Sequence, residues 1–565
     1  MNFFELFSKY QKPIIWGALS LALIAFFDQA LAVGIFLLTF FVVITVATAI
    51  KVGIKEKEFY ALFLIVISIH LLAVMFIYFY HFYPFGGGEG DQFYYHKTAV
   101  ELSERFRQGN FSIKGFDENY PYYYVSHSYP VIIGALYAIT APQIIIGQIL
   151  NVWIVALSLL FLYLIVVEIS GSVKKAFLIG MIANTYPSYI YFGSLLIRDA
   201  IIVFLSLFLL LMIIRLIKKF SRKNFIFLFI ILGFLTHFRF YVGFIGFLTI
   251  IFSLLFSFSL NLKKKLIFII TAIIFLAVIP QLFAGQGWFG IDFFNKFINQ
   301  ETITSLREKE YKKNTVSDSL ALPGSDVVVE TGFGNPALFL KNSLKSFAYI
   351  SLGPLPWQIK YFRQLFALAE TFLWYFSLFF ILRGILKSFK KYKIILPLVF
   401  FSIVTFLAIS LFTSNFGTYM RIRMPAFLAL LALADFNFNN NIFWPSFFQR
   451  LKKSAIIKKI GELSVKVYEK IMREKMTPNV YAFLKNLRYT IFGYSFAAFC
   501  VFAFEIMAGR ILGAENYGKY VLSSIIALFL SLLTTIGTTI AVIKYIAREK
   551  NGSVHKKIIT SAYLI

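Results

Sequence analysis

Long apolar runs, separated by short polar segments, make up most of this sequence. A run of about 20 apolar residues crosses the ~30 Å hydrocarbon core of a bilayer as one α-helix. Hydrophobic residues are 59% of the 565 residues and include 70 phenylalanines, which is too much apolar material for one soluble core. The sequence therefore predicts an all-α, polytopic membrane protein with a bundle of transmembrane helices.

The excess of basic residues indicates how these helices are oriented. Lysine and arginine number 55 against 27 acidic residues, and they fall in short clusters between the apolar runs. Such clusters are typical of cytoplasmic loops, so we expect membrane lipids and no nucleic acid as partners. Cys500 is the only cysteine, which excludes a thiolate metal site. No cofactor is indicated, and a divalent metal stays an open alternative without a motif of its own.

Alternating basic clusters assign the helices and loops. Residues 13–27 and 31–50 predict a hairpin that turns at Asp28, and residues 129–149, interrupted by two prolines, predict an interfacial or re-entrant segment. The other predicted helices are 58–83, 151–170, 175–196, 200–216, two within 224–260, 266–284, 366–384, 394–413 and 424–436. This topology places loop 84–128 and a jointed loop at 285–362 outside, and the basic linker 437–488 in the cytoplasm.

Charged and polar side chains collect at the predicted external helix ends. Charges at membrane depth are costly and tend to face a cavity or one another, so the set predicts one shared external cavity. A carboxylate with several guanidiniums suits a phosphate-linked substrate, because arginines bind phosphate and a carboxylate accepts the proton of an attacking hydroxyl. The set comprises Asp91, Arg198, Asp199, His237, Arg239, Arg421 and Arg423.

Each of these residues also has a purely structural interpretation. Asp91 suits the N-cap of a following helix, and Arg198 suits a local ion pair with Asp199. The arginines at 421–423 suit anchoring at the lipid headgroups, and the pair at 237–239 suits a polar turn between two helices. The sequence leaves these alternatives open.

The order of the elements resembles the GT-C membrane glycosyltransferases, in particular protein mannosyltransferases of the family 39 type and the bacterial lipid A aminoarabinose transferase. Residues 90–99, Gly-Asp-Gln-Phe-Tyr-Tyr-His-Lys-Thr-Ala, are similar to the family pattern Asp-x-x-x-Tyr-x-x-x-Ala. Tyr129-Pro130 is similar to its proline element, although a single proline replaces a pair. The resemblance covers residues 10–436 and implies a GT-C bundle with interfacial helices in the first external loop.

That resemblance also implies a function. A membrane glycosyltransferase of this kind moves a sugar from a polyprenyl-phosphate donor to a lipid, glycan or protein acceptor. The active site would lie on the external face of the cytoplasmic (inner) membrane, and the role would be in cell-envelope polysaccharide or glycoconjugate synthesis. Asp91 would be the general base, with Glu89 as the alternative because Gln92 stands where the family commonly has a second acid. The implied phosphate-binding residues are Arg421, Arg423 and Arg239, with His237, Arg198 and Asp199 as further cavity residues.

Two other functions stay open. An O-antigen-type polysaccharide polymerase also has many helices and external arginines, but it would not rely on a first-loop aspartate. A non-catalytic component of a lipid-linked oligosaccharide flippase would lack a cavity around Asp91. The donor sugar, the acceptor and the oligomeric state are not indicated by the sequence.

The C-terminal part carries a second resemblance. Residues 510–520 read Arg-Ile-Leu-Gly-Ala-Glu-Asn-Tyr-Gly-Lys-Tyr and lie between the apolar runs 490–509 and 521–544. They resemble the first external loop of MATE-like polysaccharide flippases. This implies an incomplete pair of flippase-like helices over 489–565, expected from a truncated fusion, an incomplete reading frame or a vestigial docking hairpin. A flippase is accordingly an expected partner.

Overall fold

The computed structural model forms two units by internal contacts, Met1–Leu355 with Phe366–Phe438, and Pro356–Leu365 with Asn439–Ile565. The residues described are 19–82, 91–111, 128–258, 266–271, 336–353, 365–388, 391–412, 416–436, 501, 505 and 517–531. All regular structure in this part of the chain is α-helical. Six helices there are long and apolar enough to cross a membrane: Gln29–Val52, Lys57–Tyr80, Ile144–Ser170, Asp199–Lys218, Leu368–Lys387 and Tyr392–Ser410. The predicted all-α membrane bundle is confirmed at this level.

The helices of the first unit are numbered in chain order. They are α1 (Gln29–Val52), α2 (Lys57–Tyr80), α3 (Asp91–Arg107), α4 (Tyr129–Ile139), α5 (Ile144–Ser170), α6 (Val173–Asn184), α7 (Pro187–Gly193), α8 (Asp199–Lys218), α9 (Arg222–Phe238), α10 (Phe240–Phe256), α11 (Pro336–Leu352), α12 (Leu365–Lys387), α13 (Tyr392–Phe412), α14 (Phe416–Ile422) and α15 (Met424–Leu431). Helices α5 and α8 are the most buried of the six spans and form the centre of the bundle.

Several predicted boundaries differ from the structure. The segment predicted as one interfacial piece, 129–149, is a short helix α4 followed by the first turn and a half of the long helix α5. The predicted helix 175–196 is two helices, because Pro187 disfavours the α conformation at Tyr186, which is extended with ψ 114°. Residues 424–436 are helical only to Leu431, too few for a span.

The long loop predicted at 285–362 contains a helix. Residues 336–352 form α11, which packs against α13, and the hydroxyl of Ser346 donates to the carbonyl of Ser410 at 2.8 Å. The prediction of a jointed loop is therefore wrong for this stretch, although its glycine and proline residues do flank the helix. Residues 272–335 lie outside the described residues.

One end of the bundle carries the basic clusters. Glu168, near the end of α5, accepts from Arg215 at 3.1 Å and from Lys218 at 2.7 Å, both near the end of α8. Lys391 donates to the carbonyl of Ile169 at 3.1 Å. Asp435 pairs with basic residues of α6 and α12. These described basic residues, all in clusters predicted to be cytoplasmic, therefore lie at a common end.

Two ion pairs join α12 to the segment that begins with α15, and they lie at different heights along the bundle. Arg383 and Asp435 are 3.6 Å apart at the basic end, and Glu370 and Arg423 are 2.7 Å apart toward the other end. Because α12 rises 1.5 Å per residue, the two pairs are about 20 Å apart. Gly384 permits the contact at the basic end, since a Cβ there would overlap the carbonyl of Leu433. This separation is shorter than the ~30 Å hydrocarbon core.

The second unit is described only in part. Residues 517–531 form a helix, and the Tyr517 hydroxyl donates to Glu505 at 2.7 Å. The helix predicted to begin at 521 thus begins earlier and includes Tyr517 and Gly518 of the predicted turn. The linker 437–488 lies outside the described residues, and of the predicted helix 490–509 only residues 501 and 505 are described.

Candidate functional site

The end of the first unit opposite the basic clusters carries an ion pair between distant parts of the sequence. Asp91 is the first residue of α3, and its Oδ2 accepts a hydrogen bond from Nη1 of Arg421 in α14 at 2.7 Å. The side chain of Asp91 is 38% exposed and that of Arg421 is 18% exposed. Asp91 thus does more than begin a helix, because it joins α3 to α14.

A second ion pair lies deeper. Asp199 is the first residue of α8, and its Oδ1 accepts from Nη1 of Arg239 at 2.6 Å. Arg239 is the single residue between α9 and α10, and it takes an extended conformation. Gly243 permits the close approach of α9 and α10 at this turn, because a Cβ there would overlap the backbone of Thr236. Both side chains are buried, with 8% of Arg239 and 5% of Asp199 exposed.

Charge–charge interactions connect the two pairs. Asp199 interacts with Arg421 and Arg198 as well as with Arg239. Arg198 also donates to the carbonyl of Phe238 at 3.1 Å, which holds it against the α9–α10 turn. We call this set the arginine–aspartate cluster. Its members are Asp91, Arg198, Asp199, Arg239 and Arg421.

The cluster has more positive than negative charge. Its three arginines face two aspartates, which leaves one formal positive charge. Burial lowers the pKa of Arg421, but the carboxylates of Asp199 and Asp91 outweigh this and raise the pKa above its usual value. Arg421 therefore stays cationic. A buried surplus cation is costly and favours an anionic ligand.

Unused hydrogen-bond donors in the cluster also favour an anionic ligand. The Nε atoms of Arg239 and Arg421 are buried and have no hydrogen-bond partner among the described residues. A buried donor without an acceptor costs free energy, more so in a charged group. An anion with several oxygens would satisfy donors that the two aspartates leave unused.

The helical spacing of residues 91–99 explains the family-like pattern. Residues four apart lie on one face of a helix, so Asp91, Tyr95 and Ala99 line the same side of α3. Tyr95 is buried and meets the ring of Tyr129 edge-on, with centroids 5.3 Å apart. Burial raises the pKa of Tyr95 and outweighs the lowering by Arg198, so the phenol is neutral. Tyr129 at the start of α4 thus packs against α3 one turn after Asp91.

His237 lies beside the cluster. Its Nε2 forms a hydrogen bond with the hydroxyl of Ser128, which precedes α4. Ser128 has a positive φ of 52°, which is uncommon for a residue other than glycine. His237 therefore fixes the start of α4, and with it Tyr129, against the α9–α10 turn.

Arg423 lies in a different environment from Arg421. Its Nη2 donates to Glu370 at 2.7 Å, and its Nη1 donates to the carbonyls of Ile350 and Gly353 at 3.2 and 3.0 Å. Both charged side chains are almost fully buried. These contacts join α11, α12 and the start of α15, so Arg423 connects helices and stands apart from the arginine–aspartate cluster.

Glu370 was missed by the sequence reasoning, which considered charges at helix ends only. A lone acid within the apolar run 366–384 was the available signal, because an ionisable residue inside a membrane span nearly always has a partner. Its second oxygen accepts from the backbone N–H of Ser188 at 3.0 Å, at the start of α7. The pair with Arg423 thus also holds the break between α6 and α7.

Asn151 was missed as well. It is fully buried in α5, and its Nδ2 donates to the carbonyls of Leu195 and Ile197 at 2.7 and 2.9 Å. These carbonyls belong to the non-helical stretch 194–198, which leads directly into Arg198 and Asp199. Non-helical backbone at membrane depth needs such partners. Asn151 therefore positions this part of the cluster.

We expect Asn151→Leu to lower the melting temperature of the purified protein. The two carbonyls would lose their donors, at about 1–3 kcal/mol for each buried group left unsatisfied. Ser206→Ala is the matched control, because this buried hydroxyl donates only to the carbonyl of Ile202 within its own helix. Equal melting temperatures for the two variants would contradict the positioning role of Asn151.

Other candidates are not described. Glu89 and residues 112–127 of the loop predicted at 84–128 lie outside the described residues. Within the described part of the chain, no three His, Cys, Asp or Glu side chains come together as metal ligands.

No protein-family model matches this sequence, and no curated protein matches it either. The geometry and the charges of the arginine–aspartate cluster are therefore the basis for a functional assignment.

Proposed function

We propose that this protein is an integral membrane glycosyltransferase that moves a sugar from a polyprenyl-phosphate donor to a lipid, glycan or protein acceptor. The observation that carries the proposal is a partly exposed carboxylate, Asp91, bound to an arginine within a cluster that has a surplus positive charge. The arginines supply an anion site, and the carboxylate supplies a base beside it.

The two aspartates differ in environment, and this separates their roles. Asp199 is almost fully buried against Arg239, so it orients an arginine and does not reach an acceptor. Asp91 is the more exposed carboxylate and can contact an incoming hydroxyl. Asp91 is accordingly the general base, which accepts the acceptor's proton as the hydroxyl attacks the anomeric carbon and the donor phosphate departs.

The phosphate-binding role belongs to Arg421 and Arg239. Both carry a buried Nε without a partner among the described residues, and both already have one donor fixed by a carboxylate. An arginine oriented in this way presents its remaining donors in a fixed plane that suits phosphate oxygens. Arg198 adds positive charge to the same site.

The arginine surplus also favours a second function, an O-antigen-type polymerase. The test uses the full chain in proteoliposomes with two substrates, a labelled sugar on polyprenyl monophosphate and a glycan repeat unit on polyprenyl diphosphate. Transfer from the monophosphate donor, lost in Arg421→Gln, supports the glycosyltransferase. Elongation of the diphosphate-linked glycan, without transfer from the monophosphate donor, would reject the glycosyltransferase and support the polymerase.

We predict that the cluster faces outside and the basic end faces the cytoplasm. In a Cys500→Ser background, Gln108→Cys at the exposed end of α3 should react with a membrane-impermeant maleimide in intact cells. Lys219→Cys, exposed just after α8, should react only after permeabilisation, because basic clusters stay cytoplasmic. The reverse pattern would invert the orientation and remove the external acceptor from the proposal.

A further inference from the structure

We infer that the phosphate of a lipid-linked substrate displaces the carboxylate of Asp91 from Arg421, so that binding of the donor frees Oδ2 of the base. The inference rests on the proposed function, since it assumes that the arginine–aspartate cluster binds phosphate. It adds that Asp91 and the phosphate compete for the same guanidinium. The ion pair Asp91–Arg421 then keeps Oδ2 of the base engaged until the donor arrives.

Burial identifies Asp91 as the exchangeable carboxylate. Asp199 is 5% exposed, and releasing it from Arg239 would leave a buried charge without a partner, which is strongly unfavourable. The side chain of Asp91 is 38% exposed, so water can hydrate its carboxylate when the carboxylate leaves Arg421. Of the two carboxylates in the cluster, only Asp91 can be released readily.

Arg421 is the fixed partner in the exchange. Its side chain is the less exposed of the two, and Asp199 keeps part of its charge compensated when Asp91 leaves. Its Nε is buried and has no partner among the described residues, whereas Asp91 occupies Nη1 alone. A phosphate has enough oxygens to accept from Nε and a terminal nitrogen together, which a guanidinium favours over a single contact.

The exchange also orders the two steps of the proposed reaction. While Oδ2 of Asp91 accepts from Arg421, that oxygen is not available to an acceptor hydroxyl. Once phosphate holds Arg421, both oxygens of Asp91 are available beside the bound donor. No covalent bond is made or broken in the exchange itself, because a phosphate oxygen replaces Oδ2 of Asp91 as the acceptor for Nη1 of Arg421.

The test is equilibrium binding of a short-chain polyprenyl monophosphate without a sugar to the full chain in detergent. We expect Asp91→Asn to bind this lipid about 3- to 10-fold more tightly than the wild type, because a competing charged hydrogen-bond acceptor is removed. Arg421→Gln should bind it at least about 10-fold more weakly. In the Arg421→Gln background, Asp91→Asn should change the affinity no further.

The double variant separates exchange from simple repulsion. If Asp91 only repels the phosphate, Asp91→Asn will improve binding equally with and without Arg421, and the inference fails. Weaker or unchanged binding by Asp91→Asn alone also overturns it. Arg421→Lys serves if Arg421→Gln does not fold. Glu168→Gln and Arg215→Gln are the matched control pair at the basic end, and their affinities should equal the wild type.

Failure of this inference and failure of the proposed function give different results. Binding that tightens in Asp91→Asn, with no transfer by the wild type, keeps the exchange and rejects the transferase. Transfer by the wild type, with no tightening in Asp91→Asn, keeps the transferase and rejects the exchange. Inorganic phosphate measured in parallel shows whether the headgroup alone is recognised or the lipid is required.

Discussion

Asp91→Asn should lower the rate of sugar transfer by about 10²–10⁴-fold, the usual contribution of a general acid–base group. Asparagine keeps the size of the side chain and still accepts a hydrogen bond from Arg421, so the helix start and the contact between α3 and α14 should survive. It cannot accept the proton of the attacking hydroxyl. The expected loss is therefore in kcat, and KM for the donor should not rise.

The measurement is transfer from a polyprenyl-phosphate sugar at saturating donor, with the melting temperature of each variant as the check on folding. Glu104→Gln, an exposed carboxylate in the same helix, is the control and should retain full activity. Arg421→Ala should instead raise KM for the donor, because the phosphate loses a charge-assisted contact.

Other outcomes would reassign the site. Full activity in Asp91→Asn would move the base to Glu89. Full activity in variants of both carboxylates, with loss only in the arginine variants, would favour the polymerase.

Breaking the buried pair between Arg423 and Glu370 should have the largest effect on stability. Removing one member of a buried pair costs about 3–5 kcal/mol, because the other charge stays buried without a partner. We therefore expect Glu370→Gln and Arg423→Gln each to lower the free energy of unfolding by about this amount. The measurement is unfolding of the purified protein in mixed detergent with increasing denaturant.

The combined variant makes this prediction specific. Glu370→Gln with Arg423→Gln should lose clearly less than the sum of the two single losses, because no charge is then left unpaired. Glu168→Gln is the control, since its pair with Arg215 and Lys218 is partly exposed and should contribute about 1 kcal/mol or less. Additive losses in the combined variant would show that Arg423 and Glu370 act independently.

Much of the fold follows from the apolar runs. The predicted helices 200–216, 366–384 and 394–413 match α8, α12 and α13 closely. A uniform apolar run in a bilayer must satisfy its own backbone hydrogen bonds, and a helix does so within the run. Helix α11 was missed since its two lysines and three serines lower its hydropathy, yet the bundle pairs one of those serines with the carbonyl of Ser410.

The candidate site could be predicted in its membership but not in its pairings. Charge sidedness placed Asp91, Arg198, Asp199, Arg239 and Arg421 at one end of the bundle, and the structure brings them together. Charge sidedness did not indicate that Arg423 forms a separate ion pair with Glu370. Residues two apart in a helical segment point in nearly opposite directions, so Arg421 and Arg423 cannot face the same site. The partner of each arginine depends on tertiary packing, which periodicity does not encode.

The short separation between the two ion pairs along α12 bears on how a lipid substrate would reach the cluster. Lys387 at the basic end is half exposed and can extend to the headgroups, so Asp435 lies near that surface. The opposite pair, with both side chains buried, then lies roughly 10 Å below the other surface. Arg421 of the cluster is two residues from Arg423. A lipid phosphate that binds the cluster, as proposed above, would therefore arrive near this depth while its isoprenoid tail stays in the hydrocarbon. Moving the tail from the hydrocarbon into water would cost about 0.8 kcal/mol per methylene, and a site below the membrane surface avoids this cost.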